Sequence, residues 1–403
     1  MRYWGAATSD SLANCDHYRS VAASPAIAFA CSARNDGVML NENPAVVIAD
    51  TEPWEAFTWL AAALRRRGFD TLRVTAPPGT RLQRMSSVLY RAAYTSTEMS
   101  LKWAGGTAPV DVSDTVSVWL PNVVDVQAAD RVGAALLDDP RWLDHPRLHR
   151  VPDPTKEMRL FDKLAHVQDA AAAGVAVPAT WTDPGEVTGD RVVIKQRLGS
   201  GGDAVVLADS KDIPRWTREW AGQGGGLIFQ EVIDGQVLNV GGFARDGELV
   251  VAVPYSTEQS PNDPAGPSVR IRTLRRPDLV AAVAAYVRET HYTGAICVDF
   301  IQDDEAYLID VNPRFFGSWA AAQAAGCPLL EAYAQYLRGK PNTQKMPDIV
   351  DRVQWTAPAG DGTKAQTART SVRTLKEFGQ FTGRRAYLAG VPSVLRAIRS
   401  AGR

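Results

Sequence analysis

The sequence predicts a multidomain protein of the α/β and α+β classes, in which an N-terminal open α/β domain precedes a core of paired antiparallel strands and a short basic C-terminal extension. Three observations predict this arrangement. The chain has 403 residues, which exceeds the usual size of one domain. Residues 45–75 have the pattern of strand, helix and strand, whereas residues 191–311 contain strand pairs separated by short turn sequences. Hydrophobic residues make up 45% of the chain, which is enough for well-packed domains.

Composition and charge argue against several classes of protein. Lys and Arg together number 44 and Asp and Glu 45, so the net charge of −1 is unlike that of a protein that binds nucleic-acid backbone. No apolar run reaches the length of a transmembrane segment, and residues 1–10 lack the pattern of a secretory signal. The four cysteines are scattered without a CxxC pair, which predicts reduced thiols in a cytoplasmic protein. A homodimer is compatible with these features.

The first domain is predicted by a βαβ pattern. Residues 45–49 form a short apolar run that is typical of a buried parallel strand, and residues 71–75 form a second one. Between them, residues 52–67 carry apolar side chains at helical spacing, and Gly68 follows as a helix terminator. The proline-rich segment 145–154 marks the expected end of this domain.

A second helix is predicted immediately after this boundary. Asp153 can cap it, with Pro154 in its first turn. Its expected apolar face consists of Leu160, Leu164, Val167 and Ala171. Lys163 lies on the same helix and is a candidate cation for an anionic ligand, although a solvated surface lysine is the alternative interpretation.

A glycine-rich loop between two strands is the first candidate binding element. Residues 191–195 and 204–207 predict the strands, and the loop between them contains Gly199, Ser200, Gly201 and Gly202. The letters match a dinucleotide fingerprint, but that fingerprint requires a helix directly after the glycines, so a Rossmann site is not expected here. Bare backbone N–H groups in such a loop can bind phosphate oxygens, and Lys195 supplies a cation beside it. A flexible hairpin tip is the alternative for the loop alone.

The strongest group of polar residues lies on a later predicted hairpin. Asp299 ends an apolar strand, and Asp310 and Asn312 lie two positions apart on the partner strand, so they share a face. Two carboxylates and an amide oxygen are hard ligands that suit Mg²⁺ bound together with substrate phosphates. Arg314 follows directly and adds a permanent cation with a planar fork of donors. Solvated carboxylates at strand ends are the alternative.

Taken in order, these motifs resemble the ATP-grasp superfamily, and in particular its carboxylate–amine ligases, such as L-amino-acid ligases and the carbamoyl-phosphate synthetase type. The resemblance covers about residues 154–340. It rests on the lysine with its glycine-loop strand pair, on Gln230-Glu231-Val232-Ile233, on Val298-Asp299-Phe300 and on Ile309-Asp310-Val311-Asn312-Pro313-Arg314. It implies a two-part ATP-grasp core. The expected domains are 1–153 (N-terminal α/β), 154–237 (central ATP-grasp subdomain), 238–340 (C-terminal ATP-grasp subdomain with the metal site) and 341–403 (extension).

The resemblance also implies roles for individual residues. Lys163, Lys195 and the loop residues Gly199, Ser200, Gly201 and Gly202 would hold ATP phosphates. Gln230, Glu231, Val232 and Ile233 would line the adenine pocket. Asp299, Asp310 and Asn312 would bind Mg²⁺, with Mn²⁺ as an alternative. Arg314 would act at the reacting centre. Arg270 and Arg272 are candidates for contacting phosphate or a substrate carboxylate, with an exposed strand face as an equal alternative.

Some positions depart from the family pattern. Many members have a glutamate for the ribose just after the glycine that corresponds to Gly235, where this chain has Gln236 and Val237. The second metal carboxylate is usually glutamate, but here it is the shorter Asp310. D-alanine ligases have an arginine where this chain has Cys297, and their Asn-x-Ser-Pro-Gly signature is absent. The last two differences argue against ligation of D-alanine to D-alanine.

The function that the resemblance implies is ATP-dependent ligation. A substrate carboxylate would be activated as an acylphosphate, and an amine would then attack it to form an amide or peptide bond, with release of ADP and phosphate. A thiol or ammonia is the less favoured nucleophile. The alternative function is that of a non-catalytic nucleotide-binding protein that serves regulation or assembly. A kinase that stops at the phosphorylated product is a third possibility. Small molecules resembling amino acids or peptides are the expected substrates, and their identities stay open.

Overall fold

The computed structural model describes residues 45–50, 55–75, 99–100, 116–122, 149–150, 159, 162–198, 204–221, 225–258, 270–349, 351 and 354–356. All of them belong to one compact unit that begins at Asn41. The glycine loop 199–203, the proposed cap Asp153 and the basic extension 373–403 lie outside these residues.

The N-terminal part contains a parallel sheet, as the βαβ pattern predicts. Strand β1 (Ala45–Asp50) is followed by helix α1 (Glu55–Arg65) and by strand β2 (Asp70–Thr75), which pairs with β1 in parallel. Gly68 ends the helix segment with a φ of 85°, a conformation that costs glycine little. Three further strands complete a sheet of order β3-β2-β1-β4-β5: β3 (Met99–Ser100), β4 (Val116–Asn122) and β5 (His149–Arg150).

A small antiparallel sheet follows, and its central hairpin confirms the predicted strand pair around the glycine loop. Strand β7 (Arg191–Gln196) pairs antiparallel with β8 (Val205–Asp209). The sheet has the order β6-β9-β7-β8, with β6 (Thr180–Trp181) and β9 (Leu227–Gln230). Helix α2 (Lys163–Ala172) precedes it in the chain, and α3 (Ile213–Glu219) follows β8. Its fully buried apolar core is small and consists of Val192, Ile194, Ile213 and Phe229.

The larger antiparallel sheet has six strands in the order β14-β13-β10-β11-β12-β15. Its central hairpin turns at Asp246 and Gly247, both at positive φ, as the Asp-Gly dipeptide predicts. The strands are β10 (Gln236–Arg245), β11 (Glu248–Glu258), β12 (Arg270–Thr273), β13 (Gly294–Gln302), β14 (Ala306–Asn312) and β15 (Gln354–Thr356). The helices are α4 (Pro277–Thr290), α5 (Trp319–Ala324) and α6 (Leu329–Leu337). The proposed boundary at 237/238 falls just inside β10 and stays a prediction, as do the other domain limits.

The large sheet is covered on both faces by apolar side chains. Helix α4 packs Val283 and Val287 against one face. The other face packs against an aromatic cluster in which Phe315 contacts Tyr333 with ring centroids 4.9 Å apart. Gly241 is required there because a Cβ atom would lie 2.4 Å from the ring of Phe316. Phe315, Phe316 and Trp319 are therefore core residues.

Helix α2 differs from the sequence prediction in its buried face, while the predicted start at Asp153 and Pro154 lies outside the described residues. Within the described residues it begins at Lys163, and the N-cap is Asp162, whose carboxylate accepts a hydrogen bond from the N–H of Leu164. The side chains that it buries are Lys163, Ala165, His166 and Ala170. Of the predicted apolar face, Leu160 lies outside the described residues, Leu164 and Val167 are half-buried and Ala171 is exposed, because the buried side carries Lys163 and His166 beside two alanines.

Arginine contacts join the N-terminal sheet to the helices that follow the large sheet. The guanidinium of Arg338 stacks on Phe69 at 4.2 Å and donates to the backbone oxygen of Arg67. Arg67 forms an ion pair with Glu331 of α6. None of the helices that the structure describes is long and apolar enough to cross a membrane.

Candidate functional site

Three polar side chains lie side by side on neighbouring strands of the large sheet. The register aligns Asp310 of β14 with Asp299 of β13, and Asp299 with Asn239 of β10. Directly opposed residues in an antiparallel sheet have Cβ atoms about 4.5–5.5 Å apart, so the three side chains form one polar row. The structure thus brings the two predicted carboxylates together and adds an amide that the sequence analysis missed.

Hydrogen bonds fix the orientation of the groups in and beside this row. Asp299 Oδ1 accepts from Asn239 Nδ2, and Asp299 Oδ2 accepts from Asn312 Nδ2 at 3.4 Å. Asn312 Oδ1 in turn accepts from Arg314 Nη2 at 2.9 Å, and Arg314 Nη1 donates to the backbone oxygen of Phe315. Asp299, Asn312 and Arg314 are therefore linked by hydrogen bonds, while Asp310 lies beside Asp299 through the strand register.

The pKa values of the two neighbouring carboxylates are shifted in opposite directions. Burial raises the pKa of Asp299 well above its ordinary value, and the negative charge of Asp310 raises it further. Burial acts the same way on Asp310, but the cations that surround it, beginning with Lys163 and His166, lower its pKa below the ordinary value. Asp310 is therefore the carboxylate that holds the permanent negative charge of the pair.

Two lysines reach this site from different elements. Lys163 Nζ of α2 lies 3.8 Å from Asp310 Oδ1. Lys195 Nζ, at the end of β7 in the small sheet, donates to the backbone oxygen of Ile309 at 2.8 Å. Burial lowers the pKa of Lys195 from 10.5 to about 8. Both predicted phosphate-binding lysines thus meet at the hairpin that carries the carboxylates.

His166 is a second residue that the sequence analysis missed. It is 2% exposed, and its Nδ1 lies 3.9 Å from Asp310 Oδ1. It follows Lys163 by three positions, so both side chains lie on the same face of α2. The helical spacing of two polar residues was the available indication, but it is common on solvated helix faces.

An arginine at the base of the glycine loop was also missed. Arg197 donates to both carboxylate oxygens of Asp162, and its backbone oxygen accepts from the N–H of Lys163 at 3.0 Å. The end of β7 is therefore tied to the start of α2. This arrangement fixes the two lysines relative to each other, since Lys195 lies on β7 and Lys163 on α2.

The predicted adenine-pocket segment connects the two antiparallel sheets. Gln230 is buried at the end of β9, and its amide donates to Thr180 Oγ1 at 3.0 Å. Glu231 is exposed, and its backbone N–H donates to the oxygen of Ala179. Val232 and Ile233 are half-buried. Strand β9 ends at Gln230, where the chain leaves the small sheet to reach β10.

The residues present fit a divalent cation that is shared with a phosphate ligand. Asp310 Oδ1 is buried and accepts no hydrogen bond among the described residues, and Asn239 Oδ1 is equally without a donor. Within the described part of the chain, no three His, Cys, Asp or Glu side chains form a metal site by themselves. Two carboxylates with an amide are typical of Mg²⁺ sites in which substrate phosphates and water complete the coordination.

The two other predicted arginines lie further from the carboxylates. Their strand, β12, is separated from β13 by two strands, which corresponds to about 14 Å at the usual strand spacing. Arg272 is exposed, and it alternates with Ile271 and Thr273, which are buried. Arg270 begins the strand. The structure does not bring Arg272 to the carboxylates, and a role for either arginine stays a prediction.

The chain is similar to one family model and to several solved structures. Residues 160–318 match the family model described as an ATP-grasp domain. No curated protein matches the chain by sequence. N5-carboxyaminoimidazole synthetase from Staphylococcus aureus, in complex with ADP, is similar with a TM-score of 0.61 and 12% identity over 80% of this chain and 86% of that one.

Two further solved structures are similar over most of their length. The synthase of the same name from Aspergillus clavatus, in complex with ADP and aminoimidazole ribonucleotide, has a TM-score of 0.56 and 13% identity over 75% of this chain and 78% of that one. The biotin carboxylase domain dimer of Hydrogenobacter thermophilus 2-oxoglutarate carboxylase, with MgADP, ADP and bicarbonate, has a TM-score of 0.60 and 13% identity over 78% and 74%. At these identities the similarity establishes the fold.

Proposed function

Residues 160–318 form an ATP-grasp domain, and from this premise we propose that the protein is an ATP-dependent ligase that activates a carboxylate and joins it to an amine. The observation that supports this proposal most directly is the convergence of Lys163 and Lys195 on the hairpin that carries Asp299 and Asp310. Phosphoryl transfer depends on positioning and charge neutralisation, and these are the functions that such a cluster performs.

The proposed nucleotide site extends from the small sheet to the large one. Lys163 and Lys195 would contact the ATP phosphates, with the loop 199–203 over them, and the segment 230–233 would line the adenine. Mg²⁺, held by Asp299, Asp310 and Asn312, would neutralise phosphate charge and orient the γ-phosphoryl group. The lowered pKa of Lys195 is the consequence of burying an ammonium without its own carboxylate, and a bound phosphate would supply the missing anion.

The proposed reaction has two steps. An oxygen of the substrate carboxylate attacks the γ-phosphorus, and the bond between this phosphorus and the oxygen that bridges to the β-phosphate breaks. ADP leaves, and the substrate is now an acylphosphate. The nitrogen of the amine then attacks the acyl carbon, phosphate leaves, and the nitrogen loses a proton. Arg314 is half-buried beside Asn312, so its fork could bind the transferred phosphoryl group or the oxyanion of the second step.

Catalysis explains the arrangement better than nucleotide binding alone. Burying Lys195 and Asp299 carries a desolvation penalty, which is seen in the pKa shifts of both groups. A protein that only held a nucleotide would need the lysines, but it would not need Arg314 oriented beside the metal ligands. The acylphosphate reaction uses all of these groups.

Calorimetry with a non-hydrolysable ATP analogue, with and without Mg²⁺, tests the nucleotide site. We expect binding that strengthens in the presence of Mg²⁺. The absence of any binding heat at millimolar analogue would contradict the proposed function.

Release of ADP and phosphate during incubation with pools of carboxylates and amines tests the reaction. Bicarbonate belongs in the carboxylate pool because the similar biotin carboxylase domain was solved with it; ammonia and thiols belong among the nucleophiles. Product masses distinguish an amide from a phosphorylated acid, which a kinase would release. Tight Mg-ATP binding without turnover in any pool would favour the regulatory alternative.

A further inference from the structure

The polar row across the large sheet continues beyond the two carboxylates. Asn239 is aligned with Asp299 on one side and with Tyr255 of β11 on the other, and Tyr255 is aligned with Thr273 of β12. All of these side chains except that of Asp299 are at least nine-tenths buried. Strand interiors in a sheet covered on both faces are usually apolar, so a row of polar side chains through this one needs a reason.

Asn239 is the member of the row whose hydrogen bonds are least complete. It is 7% exposed, its Nδ2 donates to Asp299 Oδ1, and its Oδ1 has no donor in the described residues. The bond to a carboxylate fixes the orientation of the amide, because reversing it would place two acceptor oxygens together. An unpaired buried acceptor costs about 1–3 kcal/mol, so this asparagine is not explained by stability.

We propose that Asn239 is a positioning residue for the metal site: its amide holds one oxygen of Asp299 so that the carboxylate keeps the orientation needed to bind Mg²⁺. This inference rests on the proposed function, because it assumes the Mg-ATP site. Partners that hydrogen-bond metal-binding carboxylates restrict their rotation, and their loss typically lowers metal affinity 10–100-fold.

The position of Asn239 favours this role over direct participation in the reaction. It lies on the far side of Asp299 from Asp310, in the order Asp310, Asp299, Asn239 across three strands. It therefore supports the carboxylate from behind, while Asn312, itself held by Arg314, donates to it from the hairpin side. The unpaired Oδ1 of Asn239 is free to accept from a water or from an N–H of a ligand.

Asn239→Leu tests the proposal, since leucine has a similar volume and removes both polar atoms of the amide. Titration with Mn²⁺ followed by electron paramagnetic resonance, in the presence of the ATP analogue, measures metal affinity without turnover. We expect the Mn²⁺ dissociation constant to rise about 10–100-fold. In steady-state assays, the half-saturating Mg²⁺ concentration should rise by a similar factor, while turnover at saturating Mg²⁺ changes much less.

Two further variants keep the result interpretable. Asn239→Ala removes the same groups without adding bulk and replaces the leucine variant should that one fail to fold. Thr257→Val is the matched control, because Thr257 is also 7% exposed and its Oγ1 also has no hydrogen-bond partner among the described residues. We expect its Mn²⁺ affinity to equal that of the wild type.

Each outcome bears on a distinct claim. Unchanged Mn²⁺ affinity in a folded Asn239 variant would overturn the positioning role and leave the proposed function intact. Equal losses in the Asn239 and Thr257 variants would also overturn it, since any buried polar group would then matter as much. A wild-type protein that binds the analogue but no Mn²⁺ would overturn the metal site and this inference with it. Failure of the wild type to bind the analogue at all would count against the proposed function itself.

Discussion

The two antiparallel sheets contribute to the site in different ways. The large sheet presents Asp299 and Asp310 from its neighbouring strands β13 and β14, supported by packed apolar layers on both faces. The small sheet has only a small fully buried core, and its cation Lys195 comes from a strand end and reaches Ile309 of the large sheet through one hydrogen bond. The large sheet therefore provides the two carboxylates, and the small sheet provides a cation that reaches them from a separate element.

Because of this difference, we expect substitutions in the two sheets to have different effects. Groups that are fixed in a buried, preorganised environment stabilise charge that develops during reaction, because they need no reorganisation. Groups that reach the site from another sheet contribute mainly to holding the ligand. Substitutions in the large sheet should thus alter metal dependence and turnover, whereas substitutions in the small sheet should alter nucleotide affinity.

The largest effect is expected from Asp310→Asn. Loss of this carboxylate removes a proposed metal ligand and leaves Lys163 and His166 facing a neutral group. A bound metal contributes several kcal/mol of charge stabilisation, so turnover should fall about 10³-fold, and the Mg²⁺ requirement should rise. The measurement is the rate of ADP release as a function of Mg²⁺ concentration.

Asp304→Asn provides the control for this change. Asp304 lies in the turn between β13 and β14 and is exposed, so its substitution should leave both the rate and the Mg²⁺ dependence within twofold of the wild type, as is usual for surface positions. Equal and mild effects of the two substitutions would mean that the hairpin does not hold a metal.

Arg314→Lys should have the next largest effect. Lysine keeps the charge but loses the planar fork that here spans Asn312 Oδ1 and the backbone oxygen of Phe315. Loss of one preorganised donor costs about 2.7–4 kcal/mol in barrier height, or roughly 10²–10³ in turnover. Affinity for the ATP analogue, measured on the same preparation, should be unchanged. Parallel losses of affinity and turnover would make Arg314 a nucleotide anchor.

These predictions rely on a site that the sequence revealed only in part. Asp299, Asp310 and Asn312 could be grouped because a short turn joins their strands, and a hairpin fixes its own register. Asn239 precedes Asp299 by 60 residues, and no local pattern states that β10 pairs with β13. The amide of Asn239 between the apolar residues Leu238 and Val240 was the available indication.

The sequence was equally limited at helix α2. Lys163 could be proposed from the family resemblance, but His166 became visible only when the helix was packed against β14. Apolar periodicity identified the wrong face, because the buried side of this helix is partly ionic. Sequence patterns locate burial by hydrophobicity, and sites that bury charge are where that rule fails.

Lys195→Met tests the small-sheet side of the comparison. Methionine retains most of the apolar stem but cannot donate to Ile309 or bind a phosphate. We expect affinity for the ATP analogue to fall about 10–100-fold, in line with the 1.5–3 kcal/mol of a hydrogen bond to a charged group. Lys211→Met, at an exposed lysine paired with Asp209, is the control and should bind like the wild type.

The same variant should affect stability in a pH-dependent way. The pKa of Lys195 in the folded protein, about 8, is below its ordinary value of 10.5. Its buried charge therefore destabilises the ligand-free fold below pH 8, and this penalty fades as pH rises from 8 to 10.5. Lys195→Met should thus be more stable than the wild type at pH 7, by at most on the order of 3 kcal/mol, and lose that advantage at high pH. Denaturant unfolding at the two pH values measures this.

The smallest effect on turnover is expected from Cys297→Ala, although this thiol lies close to the carboxylates. Cys297 is 5% exposed; its sulfur is 3.2 Å from the hydroxyl oxygen of Tyr255 and 3.7 Å from Asp299 Oδ1. Burial raises the pKa of the thiol well above its ordinary value, and the charge of Asp299 raises it further. Because the thiolate is the reactive form, this cysteine stays protonated and is a poor nucleophile.

Alanine at this position should therefore affect packing more than chemistry. Tyr255 keeps its contact with Ser318 Oγ at 2.7 Å, so the phenol is not left without a partner. Turnover should stay within a fewfold of the wild type, while the free energy of unfolding falls by about 1 kcal/mol, as is typical of a small deletion in a core. Cys327→Ala is the matched control, since Cys327 is also a free, buried cysteine. If Cys297→Ala lost all turnover while both variants remained equally folded, a covalent step through this sulfur would have to replace direct attack of the amine on the acylphosphate.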